Sequence, residues 1–437
     1  MLQYRQVIVE QLGMLHYNFM STTIDISNEK DFPNYKKPKK LSCVLSLSSL
    51  MKTQCKQHMQ KVIHSIKVGI ALVLVSLLYL LDPLFEQVGE NAMWAIMTVV
   101  VVFEFFAGAT LSKGLLRGLG TILGGGLGCL AGILSDDFGK IGNALVVGAS
   151  VFIIGAAATY CRMIPSIKRK YDYGVMIFIL TFNLVAVSGL RADKIMELAR
   201  ERLSTIGMGF GICVFTSLLI FPMWASDELH RLTSSKFDKL ACCIEDCMKV
   251  YFSLVSEKEN TPRINVTDCK SVLHSKSSDE SLANFARWEP WHGRFGLSYP
   301  WDKYIQIGEL MSEMASTILS MKKCLESPLQ PSTLLQHAFN EPCKSVGLSL
   351  GLTMRELGKS ITNMKRCQAK VITVPKLQSI KLELTSLSTS SKLKGIANVE
   401  SLAIANFLFL LAEIVDKVEV LAKEVEALGE VAGFQSK

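Results

Sequence analysis

Lys113 and Arg117 stand four residues apart in TLSKGLLRGLGT, which puts both cations on one helical face, and Thr121 extends that face by another turn. Neighbouring cations repel unless an anion or water lies between them, so the pair reads either as solvated anchors or as an anion site lining a pore. Glu104, in VVVVFEFFAG, is enclosed by apolar residues on both sides. A carboxylate there needs a proton or a cationic partner, with Lys113 and Arg117 the nearest in sequence; a structural ion pair and a gating or proton-sensing role both stay open. Lys67 and Arg202 complete the set of intramembrane cations, and Lys67, one turn into its apolar run, is expected to snorkel to the interface.

Enzyme chemistry finds no such support. His230, His274, His292 and His337 form no HExxH, and no GxSxG elbow is present. Cys242, Cys243 and Cys247 lack a histidine at ligand spacing, so neither a metal site nor a cofactor is expected, and the 12 scattered cysteines are expected as reduced thiols. GGGLG is not a phosphate loop, because no Lys followed by Ser or Thr completes the pattern.

The elements that must position these groups are apolar. Of 437 residues 49% are hydrophobic and 20% charged, and the mean hydropathy is +0.30, which excludes disorder and coiled-coil rods as the main class. Six runs carry most of that apolar content: Val62 to Leu81, Ala92 to Ser112, Gly118 to Ser135, Ile141 to Cys161, Tyr173 to Leu190, and Leu203 to Ser226. Each is about the 20 residues a helix needs to cross the hydrocarbon core, and none shows the polar face of a buried amphipathic helix. The sequence therefore predicts an all-α membrane protein: a mobile basic tail over 1–60, six transmembrane helices over 61–226, and a cytosolic helical domain over 227–437.

Lys and Arg outnumber Asp and Glu by 47 to 39, a net charge of +8. Lys36, Lys37, Lys39, Lys40, Lys52, Lys56 and Lys61 precede the first span, and Arg162, Lys168, Arg169 and Lys170 follow the fourth; by the positive-inside rule both groups are cytoplasmic, as are both termini. The opposite connections, DPLFEQVGEN and SDDFGKIG, are acidic, whereas LRADKIMELARER breaks the pattern with four basic residues on the outer side. No secretory signal is expected, and KKPKK suits contact with anionic lipid.

Gly114 and Gly118, then Gly120, Gly124, Gly128 and Gly132, recur every four residues, and Gly207 and Gly211 repeat the spacing; this is the small-residue pattern that lets helices approach closely. Beyond the spans, helices are expected over Asp227 to Glu257, Trp301 to Leu325, Leu335 to Cys367 and Gly395 to Leu428, with NTPRINVTDCKSVLHSKSSDE as a mobile loop. The acceptor triplet at Asn265 falls in that loop, and a cytoplasmic placement leaves it unmodified. RWEPWHGRFGLSYPW holds three of the five tryptophans, and Pro290 and Pro300 stop helices on either side of its turn. It reads as a rigid turn that covers the soluble helices or docks them on the membrane, and it is too sparsely basic for nucleic acid.

Several strings together resemble the plant aluminium-activated malate transporter family of anion channels. They are NAMWAIMTVVVVFEFFAGATLSKGLLRGLGT, VFIIGAAATYCRMIPSIKRKYDYGVMIFILTFNLVAVSG, ERLSTIGMGFGICVFTSLLIFPMWA and the motif Trp288, Glu289, Pro290. The resemblance implies a homodimer in a plasma or vacuolar membrane whose pathway passes malate, chloride and similar anions. By motif it places pore cations at Lys113, Arg117 and Arg202 and a vestibule cation at Arg162. It also accounts for the basic outer connection, which would concentrate anions at the pore mouth. Asp82, Glu86, Glu90, Asp136 and Asp137 supply the carboxylates that an outer aluminium ion would need. A proton-coupled organic anion carrier with Glu104 as its proton site, and a membrane-anchored scaffold, are the competing readings. The first 50 or so residues depart from the family's usual start.

Overall fold

The computed structural model describes residues 40–80, 92–135, 139–189, 195–253, 266–296, 298–325, 333–388 and 398–435. The chain divides into two units, Met1–Val62 and Ile63–Lys437, and the contacts below lie within the second. Among the described residues the structure is helical, without strands. The apolar part comprises α1 (Lys40–Leu80), α2 (Ala92–Val102), α3 (Ala107–Ser135), α4 (Gly139–Met163), α5 (Pro165–Gly189) and α6 (Ile195–Leu219). It is followed by α7 (Ala225–Ser253), α8 (Val266–Leu273), α9 (Lys276–Ala286), α10 (Trp301–Leu325), α11 (Thr333–Thr362), α12 (Val374–Ser388) and α13 (Asn398–Val431).

Among the described residues five helical stretches are long and apolar enough to cross a membrane: His58–Leu77, Ala107–Ser135, Ile141–Met163, Pro165–Ser188 and Arg202–Leu219. The expected second span is not one helix. Helix α2 has 11 residues, about 16 Å at 1.5 Å per residue, and cannot by itself cover a core of about 30 Å. The chain leaves the helix at Phe103 and re-enters it at Ala107, so the third span begins eleven residues earlier than its expected start at Gly118. Thr110 stabilises the break: its Oγ1 accepts the Glu104 N–H at 3.0 Å and lies 3.3 Å from the Phe106 carbonyl. Continuous hydrophobicity hid this turn, because no Gly or Pro marks it.

Helix α3 is the centre of the apolar part and packs against α4, α5 and α6. Its glycine row lets α5 come so near that a Cβ at Gly120 or Gly124 would lie 2.6 Å from the carbonyl oxygen of Gly174 or Phe178. In α6 the close approach falls on Gly209, where a Cβ would sit 2.6 Å from the Ala95 carbonyl oxygen of α2, whereas Gly207 and Gly211 face open space. Phe152, Ile153 and Met163 of α4 are exposed, as befits side chains that meet lipid.

Lys67 does not snorkel. It is 1% exposed, and its Nζ donates to the carbonyls of Ser217 and Phe221 at 3.4 and 3.5 Å. These groups close the C-terminal end of α6, where the helix dipole and the unpaired carbonyls favour a cation.

The C-terminal helices share one core. Helix α7 packs on α11 and α10 on α13, and Leu229, Phe237, Leu240, Ile244, Tyr304, Met311 and Met314 are buried in the one cluster they form. Each such buried side chain contributes about 1.5–3 kcal/mol. The expected mobile loop is helical from Val266 onward, as α8 and α9, because Cys269, Val272, Leu282 and Ala283 recur at helical spacing and are buried. Residues 254–265, with Asn265, lie outside the described residues. The buried pair Lys236 and Asp279 ties α7 to α9. Helix α11 stops at Thr362, ahead of the expected Cys367, and Met364 follows it in the left-handed region at φ 49°.

Candidate anion pathway

Helix α3 carries Lys113 and Arg117 on the face that meets α5, and Tyr173 of α5 stands between them. The Lys113 ammonium lies 5.8 Å from the centre of the Tyr173 ring, and Arg117 Nη1 donates to the Tyr173 hydroxyl at 3.3 Å. An aromatic ring and its hydroxyl thus separate two cations that would otherwise repel. Lys113 is also ion-paired with Glu104, which the break before α3 turns back toward it.

Arg117 is 6% exposed. Its Nε, the Nε of Arg202 and the Oγ1 of Thr121 are buried without hydrogen-bond partners, and neither arginine has an ion-pair partner among the described residues. Arg202 reaches inward from the start of the apolar stretch of α6, its guanidinium 4.5 Å from the centre of the Trp94 ring on α2. Trp94, Arg117, Thr121, Thr181 and Arg202 line a cavity of about 20 Å³. Thr121, Thr181 and Arg202 also line a larger one of about 500 Å³, together with Arg200 and the glycines Gly125 and Gly126. The arrangement is a narrow, largely apolar space edged by two cations, and it shares Thr121, Thr181 and Arg202 with a wider apolar pocket. Buried charge of this kind is costly unless it meets countercharge, so the place suits an anion.

The structure brings Arg117 and Arg202 to one cavity and keeps Lys113 one turn away. Arg162 is not part of the group: at the end of α4 it forms a two-pronged pair with Asp172, at 2.9 and 3.1 Å. Asp82, Glu86, Glu90, Asp136 and Asp137 lie outside the described residues. Sequence reasoning missed Tyr173 and Trp94. A phenol one residue after an acid at the start of an apolar run, and an indole near a span end, were the available signals, but neither names its partner.

Trp288, Glu289 and Pro290 lie away from these cations, at the start of α7. The Glu289 carboxylate accepts the N–H groups of Ala225 and Ser226 at 2.5 and 3.2 Å. Burial holds this carboxyl above its ordinary value, against the downward pull of those bonds. His292 Nδ1 donates to the Pro290 carbonyl at 2.8 Å, so in the neutral ring its Nε2 accepts from the Ser226 hydroxyl at 3.0 Å. The imidazole stacks on Trp224 at 3.7 Å. Trp288 and Pro290 are exposed.

Residues 53–393 match the family described as aluminium activated malate transporter. The chain belongs to that family. It is a family of transporters rather than of enzymes. The chain is 43% identical over 341 residues to aluminum-activated malate transporter 14 of Arabidopsis thaliana, covering 77% of this chain and 62% of that protein. It is 40% identical over 386 residues to transporter 13 of the same plant, covering 86% and 71%. Against aluminum-activated malate transporter 1 of Triticum aestivum the identity is 37% over 400 residues, covering 86% and 83%. The chain thus spans less than two thirds of the length of the first of these relatives.

Proposed function

We propose that this protein is a channel that passes malate and other organic or inorganic anions across a plant membrane. The observation that carries the reading is the shared cavity of Arg117 and Arg202, two guanidinium groups whose buried Nε donors have no partner. Two such cations beside a space with room for about one water suit a single anionic group passing between them, one carboxylate of a dicarboxylate at a time. The names of the relatives, as malate transporters, support the same substrate class. Lys113, near but already answered by Glu104, adds a weaker step, which conduction needs because an ion held too tightly does not leave. Moving one charge through the field is worth about 2.3 kcal/mol per 100 mV, so voltage drives the flow. The protein acts as a homodimer in the plasma or vacuolar membrane. In this reading the segment 1–60 and the region 227–437, which precede and follow the membrane region 61–226 in the chain, are both cytoplasmic.

Recording malate and chloride currents from the purified protein in a bilayer tests this. A channel reverses at the potential set by the anion gradient, and Arg117→Glu lowers the current and the anion selectivity. A reversal potential that moves with a pH gradient in fixed stoichiometry would make the protein a proton-coupled carrier. Unchanged currents and selectivity in Arg117→Glu would remove that residue from the pathway, and no current at all would leave a membrane-anchored scaffold.

A further inference from the structure

Trp94 is held in place by its own helix and by α6. Its carbonyl accepts the Thr98 hydroxyl at 2.7 Å, and the next residue, Ala95, is the one that Gly209 admits at such close range. With α2 clamped against α6, the indole lies over the guanidinium of Arg202 at 4.5 Å. This contact has a directional consequence. A guanidinium offers donors only in its plane, and an indole 4.5 Å from its central carbon closes one side of the group to an incoming anion. The Arg202 Nε–H is the donor on the edge that is buried and unpartnered. Together with a neighbouring Nη–H it forms the parallel fork that a planar carboxylate fills with two bonds. A spherical halide meets the same fork with one centre and gains less from its geometry.

We propose that Trp94 is a specificity-determining residue, which fixes the Arg202 fork in the orientation that prefers carboxylates to halides. The proposal rests on the channel reading above and deepens it. Trp94 acts through Arg202, as a positioning residue, and its effect falls on a ratio of permeabilities rather than on the amount of current.

The test is the malate-to-chloride permeability ratio from bi-ionic reversal potentials of the purified full chain in a bilayer. Trp94→Leu keeps apolar bulk but removes the aromatic face; the ratio is expected to fall about tenfold while chloride current persists. Trp94→Phe keeps a face and most of the preference. Arg202→Lys, with a compact ammonium in place of the fork, loses the preference as Trp94→Leu does. A ratio in Trp94→Leu within about twofold of the parent overturns the proposal, and so does an equal fall in both currents, which a purely structural role gives. If Trp94→Leu fails to reach the membrane, Trp94→Met carries the same expectation. No current from either, while Arg202→Lys conducts, overturns the proposal by making Trp94 a residue of the fold alone. The two levels separate cleanly. If Arg117→Gln and Arg202→Gln leave currents unchanged, the pathway reading fails; if they lower currents and Trp94→Leu leaves the ratio alone, only the role of Trp94 fails.

Discussion

Glu289 closes the N-terminus of α7 by taking both the Ala225 and the Ser226 N–H groups. The same place is tied to the membrane helices, because the Ala107 N–H at the start of α3 donates to the Met223 carbonyl at 3.0 Å. Gly108 lies so close to the Phe285 carbonyl and the Glu289 side chain that any Cβ would collide with them. The Trp-Glu-Pro motif therefore joins the helix that carries Lys113 and Arg117 to the helix that opens the C-terminal region.

Glu289→Ala strands two buried N–H groups and is expected to cost about 1–3 kcal/mol, read as a lower unfolding temperature in detergent. The carboxyl also gives a pH signature. Its folded value is raised by burial, so the folded state holds the proton more tightly than the unfolded chain. That contribution is complete below the ordinary carboxylate value and is lost as pH rises through the raised folded value. Glu289→Gln should remove this slope; equal pH dependence of unfolding in parent and variant would contradict it.

Lys236 and Asp279 face each other in the C-terminal core, with side chains 7% and 5% exposed. Lys236→Met leaves an unanswered buried carboxylate and is expected to destabilise by about 3–5 kcal/mol. The double substitution Lys236→Met with Asp279→Leu should recover much of that loss. A denaturation series on the three variants checks it, and a double variant no better than the single one argues against the pair.

Gly124→Ala pushes a methyl group into the Phe178 carbonyl of α5. It should lower the thermal stability and the yield of folded protein, although alanine is the better helix former by about 1 kcal/mol. Gly155→Ala, where nothing stands within 4 Å, serves as the control and should be neutral or stabilising. Equal behaviour of the two would mean that α3 and α5 do not meet as described.

Glu104→Gln removes the partner of Lys113 and leaves the amine free for anions. Because both side chains are about one-third exposed, the effect is modest: conductance at low salt is expected to rise about two- to fivefold, and the difference should shrink at high salt. Single-channel recording at two ionic strengths measures this. A conductance that falls in Glu104→Gln would assign the carboxylate a supporting role in the pathway itself.

The sequence by itself determined the membrane class, the place of the fourth span, the cation pair on one face of α3, and the family. These are one-helix properties: apolar length sets the spans, and a spacing of four sets the face. The same local character explains what it could not determine. The turn at Phe103–Phe106 depends on Thr110 and on the closeness of α3 to Phe285, not on a local breaker residue. The helical state of Val266–Ala286 depends on a core that other helices supply. Lys67 looked like an interfacial cation because its sequence does not show that the carbonyl end of α6 lies beside it. Only the tertiary structure decided that Tyr173 stands between Lys113 and Arg117, that Trp94 covers Arg202, and that Arg162 is taken by Asp172. Hydrophobic periodicity says which face of a helix turns inward; which side chain it meets there is fixed by the packing of helices distant in the chain.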